Sequence, residues 1–173
     1  LQLDLSVLPL QGQKVRLPLA NDETGSGETL LSTLQLNIDY DAERQGGWTA
    51  SLAALGIERV DVAIENASLV ASGSVANPTD PTARQISFAS RGQLQGVSFA
   101  DPKTSSAFGD SATFQSQGTW QSGLPLQLQQ FELVAKALNL STKGQLKETT
   151  YTGNTRLNLL DLAAFSGLAG REM

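Results

Sequence analysis

Residues 34–40 read Leu34-Gln35-Leu36-Asn37-Ile38-Asp39-Tyr40, with a large apolar or aromatic side chain at every even position and a polar one at every odd position. A period of two marks a β-strand with one greasy and one wet face, because successive side chains leave a pleated backbone in opposite directions. The same alternation opens the chain, where Leu1, Leu3, Leu5 and Val7 interleave with Gln2, Asp4 and Ser6. It returns at Ile86 and Phe88, and at Leu124, Leu126 and Leu128. Antiparallel sheets with one solvated side read this way, whereas strands buried on both faces give unbroken apolar runs. Turn-forming clusters punctuate these runs: Asn21 to Gly27, Gln45-Gly46-Gly47, Asn77 to Pro81, Asp101-Pro102-Lys103 and Ser122-Gly123. The spacing predicts strands of about 6 to 12 residues joined by short loops. Leu52 to Leu55 fits either a strand or a helical turn. The best helix candidate is at the C-terminal end, where Asp161 can cap and Leu162, Phe165 and Leu168 recur at helical spacing.

Composition narrows the class. The 173 residues are 40% hydrophobic and only 17% charged, so much of the wet surface must come from Gln, Ser, Thr and Asn, which suit strands better than helices. That length allows one medium domain or one continuous elongated sheet. There is no Cys for a disulfide or thiolate ligand, and no His, the usual general base and commonest metal ligand. A net charge of −5 disfavours nucleic acid as a partner. No stretch reaches the roughly 18 to 20 apolar residues that span a bilayer. Because the first residue is Leu and alternation is already running there, the chain reads as a piece of a longer protein, 1–173 being one continuous β segment. Residues 62–75 align with 133–146, Leu69 on Leu140 and Gly73 on Gly144, giving a weak internal repeat of about 70 residues, approximately 47–99 and 118–165.

The search for chemistry returns little. Triads that need His cannot be built, and no Gly-x-Ser-x-Gly elbow, Ser-x-x-Lys dyad, Gly-x-Gly-x-x-Gly or Walker loop occurs. Lys136, Lys143 and Lys147 lie among Ser and Thr as solvent-facing strand residues. Glu23-Thr24-Gly25-Ser26 is close to an aspartic-protease loop, but Glu stands where Asp is needed and there is no second copy. Asp39, Asp41 and Glu43 lack the glycine and distal Glu of a calcium loop and read as one wet strand face. Trp48, Trp120, Phe88 and Phe131 read as core aromatics before they read as a sugar platform. The expectation is a non-enzyme with no catalytic residues, no metal and no cofactor.

Amphipathic strands that follow one another with little helix to cover them must close, pair with a second sheet, or leave an apolar trough. At this point the stretches Leu69 to Val75 and Leu140 to Leu146, with the tail Asp161 to Arg171, make the chain resemble the interior β-rich segments of the TamB and AsmA-like family of bacterial envelope proteins. The resemblance implies an all-β, elongated, curved antiparallel sheet forming an open, β-taco-like groove, with a short C-terminal helix. It implies a periplasmic location, in a parent anchored in the inner membrane of a Gram-negative bacterium. It implies phospholipid transport between inner and outer membranes, or translocation and assembly of outer-membrane proteins. The partners so implied are phospholipid acyl chains or unfolded outer-membrane protein strands, a TamA-like barrel, and adjacent β segments of the same chain. By parity, the groove-facing set is Leu3, Leu5, Leu34, Leu36, Ile38, Val62, Ile64, Leu69, Ile86, Phe88, Leu126, Leu128, Leu133 and Leu140. The alternative is a closed β-sandwich acting as a binding or adhesion module, for example for carbohydrate.

Overall fold

The computed structural model describes residues 1–8, 13–17, 28–42 and 46–161. In chain order the elements are β1 (Gln2–Val7), β2 (Val15–Leu17), β3 (Thr29–Leu31), β4 (Thr33–Asp41), β5 (Gly47–Glu58), β6 (Val62–Ala76), β7 (Gln85–Phe99), α1 (Pro102–Phe108), β8 (Ser111–Gln121), β9 (Leu126–Ala135), β10 (Leu138–Lys147) and β11 (Thr150–Leu159). All eleven strands belong to one sheet, ordered β1-β4-β5-β6-β7-β8-β9-β10-β11, with β2 paired to β3 and β3 to β5. Every pairing is antiparallel, and from β4 onward the main path is a meander. The sheet is open: β1 and β11 stand at its two ends and do not pair with one another. The expected all-β, open antiparallel architecture is therefore what the chain forms, and the closed sandwich is not.

Turn chemistry sets several reversals. Asn77 takes φ 53° at the end of β6, a left-handed conformation that Asn tolerates better than most residues. Asp80 then accepts hydrogen bonds from the Thr82 amide (2.9 Å) and hydroxyl (2.6 Å), closing the loop into β7. Leu52 to Leu55, ambiguous in sequence, lies inside β5.

The helix of the described residues is α1, between β7 and β8, where the sequence was read as a turn. Asp101 is its N-cap, accepting from the amides of Lys103 (3.2 Å) and Thr104 (3.1 Å), and Pro102 follows, where a missing amide costs nothing. The signal was present, a capping Asp followed by Pro, but seven residues are too few for a helical period to stand out among strands. The C-terminal helix expected from Asp161 onward lies outside the described residues, apart from Asp161 itself.

A buried cluster sits under α1, while Leu31 of β3 and Ala54 of β5 are buried apart from it. Val97, Ala107, Phe108, Ala112 and Ala137 are buried together, with Val62, Ile64, Leu94, Phe99, Leu133, Ala135, Leu138 and Leu159 packed against them. The Phe99 and Phe108 rings meet edge-on at 5.1 Å between centroids. Ser105 ties the helix to the end of β7, its hydroxyl accepting from the Phe99 amide at 2.6 Å.

Strict alternation would place Val62 and Ile64 on the opposite face from Leu69. The structure brings them to the same side through two strand glycines. Gly56 (φ 60°) in β5 and Gly96 (φ 63°) in β7 flank Glu65 of β6, whose neighbours Ile64 and Asn66 pair across to both strands. A left-handed residue rotates the following peptide, so inward-facing positions step by three there instead of two. Leu94 and Val97 thus share the α1 core despite opposite parity. A Cβ on Gly96 would run into the Glu65 side chain, and one on Gly56 into Ser32.

The stretches read as a repeat are not built alike. Residues 62–75 lie within the single strand β6, while 133–146 run through the end of β9, a turn and β10.

Candidate functional site: two faces of one sheet

Register sorts the side chains into two sets. Across the sheet Leu5 faces Leu36, Leu36 faces Leu52, and Leu52 faces Leu69. On the same side Ile86 faces Trp120, Phe88 faces Gly118, Leu133 faces Leu140, and Leu128 faces Gly144. All fourteen residues of the expected groove set fall on this apolar face: ten by register alone, Leu126 by register with Leu146, Leu128 past a bulge in β9, and Val62 and Ile64 through the step at Gly96. Twelve are half-buried, and Leu3 (51% exposed) and Leu5 (46%) are open at the β1 end. Trp48, Trp120, Phe88 and Phe131 share the face.

Aromatic rings on this face lie over glycines of neighbouring strands. Cβ atoms built on Gly73, Gly92 and Gly118 would strike Trp48, Phe114 and Phe88 respectively, each the cross-strand partner of that glycine. The Trp48 Nε1 is buried without a hydrogen-bond partner. A ring laid flat on bare backbone keeps the face smooth and apolar. In the next row Ser90 and Ser116 hydrogen-bond each other at 2.6 Å, so hydroxyls that interrupt the apolar face partly satisfy one another. Among the described residues, only α1 adds a second layer, and only at one end.

The opposite face carries the recesses. One of about 710 Å³ crosses seven strands from β1 to β9 between two polar rows. The first row runs Asp4, Asn37, Ser51, Val70, Arg91, Gln115, and the second Gln2, Asp39, Thr49, Ser72, Ala89, Gln117, Gln130, each residue the register partner of the next. Ile38 is the single member of the expected groove set among its lining residues. A second recess of about 520 Å³ shares Val70, Arg91 and Gln115 with the first and adds Glu132 and Val134. Gln115 donates to the Glu132 carboxylate at 2.7 Å. Arg91 is the one cationic residue lining either recess, and it has no hydrogen-bond or ion-pair partner among the described residues. Sequence reading did not single out Arg91; the signal, one cation amid Ser and Gln in β7, means nothing until the register surrounds it with neutral neighbours.

Among the described residues, the acidic and basic groups singled out in the sequence do not come together. Asp39 lines the polar recess, while Glu43 and the Glu23 loop lie outside the described residues. Lys136 donates to the Ser106 carbonyl at 2.9 Å, holding α1 to the β9–β10 turn. The two carboxyls held below the usual range, Asp80 by Thr82 and Asp101 by Thr104, do so through hydroxyl and amide donors in a loop and a helix cap.

Among the described residues, these features define an open, amphipathic antiparallel sheet with a helix packed on one end of its apolar face. No protein-family model, curated protein or solved structure matches the chain.

Proposed function

We propose that this chain is a non-enzymatic β segment of a TamB-like, periplasm-spanning envelope protein whose apolar face guides phospholipid acyl chains between the inner and outer membranes. The observation that carries the reading is the apolar face across β1 and β4 to β11, on which, among the described residues, α1 is the one helix packed. An acyl chain laid on that face leaves water at about 0.8 kcal/mol per methylene buried. An unfolded outer-membrane protein strand, itself apolar on alternate residues, would meet the same surface, with a TamA-like barrel as partner of the parent. In this reading the face serves as a broad track, with the recesses of the sheet on its polar side. In a longer sheet, adjacent β segments of the same chain would extend the track from the open ends.

The test is native mass spectrometry of the chain purified from bacterial membranes, with lipid extraction alongside. Phospholipid should co-purify and be lost in Leu36→Asp and Phe88→Asp chains that keep their β circular dichroism. A lipid-free wild-type chain would overturn the transport reading for this segment.

A further inference from the structure

The polar face has a recess of its own. Its recess is long and narrow: seven strands at a spacing of about 4.8 Å give a length near 30 Å, and rows two residues apart stand about 7 Å from one another. Most of its lining side chains carry amides or hydroxyls, interrupted by Val70 and Ala89 in the two rows, and these groups both donate and accept hydrogen bonds and so match a ligand dense in hydroxyls. Among the described residues, no aromatic side chain lines it. Charge is distributed unevenly along its length. Asp4 and Asp39 stand at the β1 and β4 end, where carboxylates accept from hydroxyls and repel anions. Arg91 stands at β7, four strand spacings or about 19 Å from Asp4, with its guanidinium uncommitted. Glu132, the carboxylate two strands beyond, is engaged by Gln115.

We propose that this recess binds an extended glycan bearing a single anionic group, carboxylate or phosphate, placed on Arg91, with its neutral hydroxyls reaching toward Asp4 and Asp39. A planar guanidinium recognises either anion through paired N–H donors. A polyanion fits worse, because the β1 and β4 end is acidic. Without a stacking platform, orientation rests on hydrogen bonds and on the one charge pair, so affinity falls with added salt. The lipid reading concerns the opposite face and can fail without touching this one.

Calorimetric titration of the chain with maltohexaose, maltohexaose carrying one glucuronate and maltohexaose carrying one phosphate tests the site. The two singly charged oligomers should bind about tenfold more tightly than the neutral one, the typical reach of one charge-assisted pair, and the tighter of the two identifies the anion. Arg91→Gln should abolish the difference and Arg91→Lys retain part of it. Arg156→Gln, on the same face at β11 but outside the recess, should leave it intact. Equal binding of charged and neutral oligomers, no binding of any of them, or an equal loss in Arg156→Gln would overturn the proposal.

Discussion

The end of the apolar face under α1 and the remainder of that face are made of the same residue types but are held in different ways. Under α1, Phe108 and Ala107 turn half-exposed strand residues into a buried cluster with Val97, Ala112 and Ala137. Away from it, the leucines of β1, β4 and β5 have neighbours within the sheet and no second layer among the described residues, and exposure rises to 56% at Leu157 on β11. The difference shows where stability and function divide. One seven-residue helix supplies the packing of the Phe108 cluster, Leu31 of β3 and Ala54 of β5 are buried apart from it, and Leu3, Leu5 and Leu157 keep apolar surface in contact with water.

Unfolding measurements test that contrast directly. Phe108→Ala should have the largest effect, about 3 kcal/mol or more lost in urea unfolding, because it empties the buried site against Phe99. A loss no greater than that of a strand leucine would mean that α1 is not the anchor. Gly96→Ala should follow at about 1 to 2 kcal/mol, since it forces a side chain into a left-handed position already crowded by Glu65. Urea unfolding reads it, and a neutral result would show that the step in β7 does not depend on glycine.

Acid should act on the α1 end next. Asp101 has its pKa lowered below 3.8 by the Thr104 hydroxyl and amide. A carboxyl depressed in the folded state stabilises it fully above the unfolded value and loses that contribution as pH falls through the folded one. The melting temperature should therefore drop below about pH 4, and Asp101→Ala should lower the plateau above that pH and flatten this part of the acid limb. Asp80, lowered by Thr82, should add a parallel contribution from the β6–β7 loop. The smallest effect belongs to the open region: Leu157→Ser should cost less than about 0.5 kcal/mol, because more than half of the side chain already meets water. A larger cost, measured in the same titration, would show a hidden layer over β11.

Much of the molecule was legible because strand alternation is local. Leu34 to Tyr40 announces its two faces whatever lies beside it, and Asn77 to Pro81 announces a reversal through its own turn chemistry. Asp101-Pro102 announced an interruption without revealing a helix, since one short turn leaves no period to read. Alternation places most of the expected apolar set on one face but passed over Leu52, Phe114 and Leu157, and Val62 and Ile64 join the face beside Gly56 and Gly96 in the strands on either side of β6.

From the sequence alone came amphipathic, antiparallel-type strands, a chain without His or Cys, and a set of apolar residues sharing one strand face. Tertiary structure decided that the strands form one unclosed sheet, that α1 seals the core at one end, and that the recesses lie on the polar face with Arg91 between Val70 and Gln115. The physical reason is that side-chain direction follows from each residue's own backbone. The shape of a face, and the company a single charge keeps there, depends on register across strands far apart in sequence.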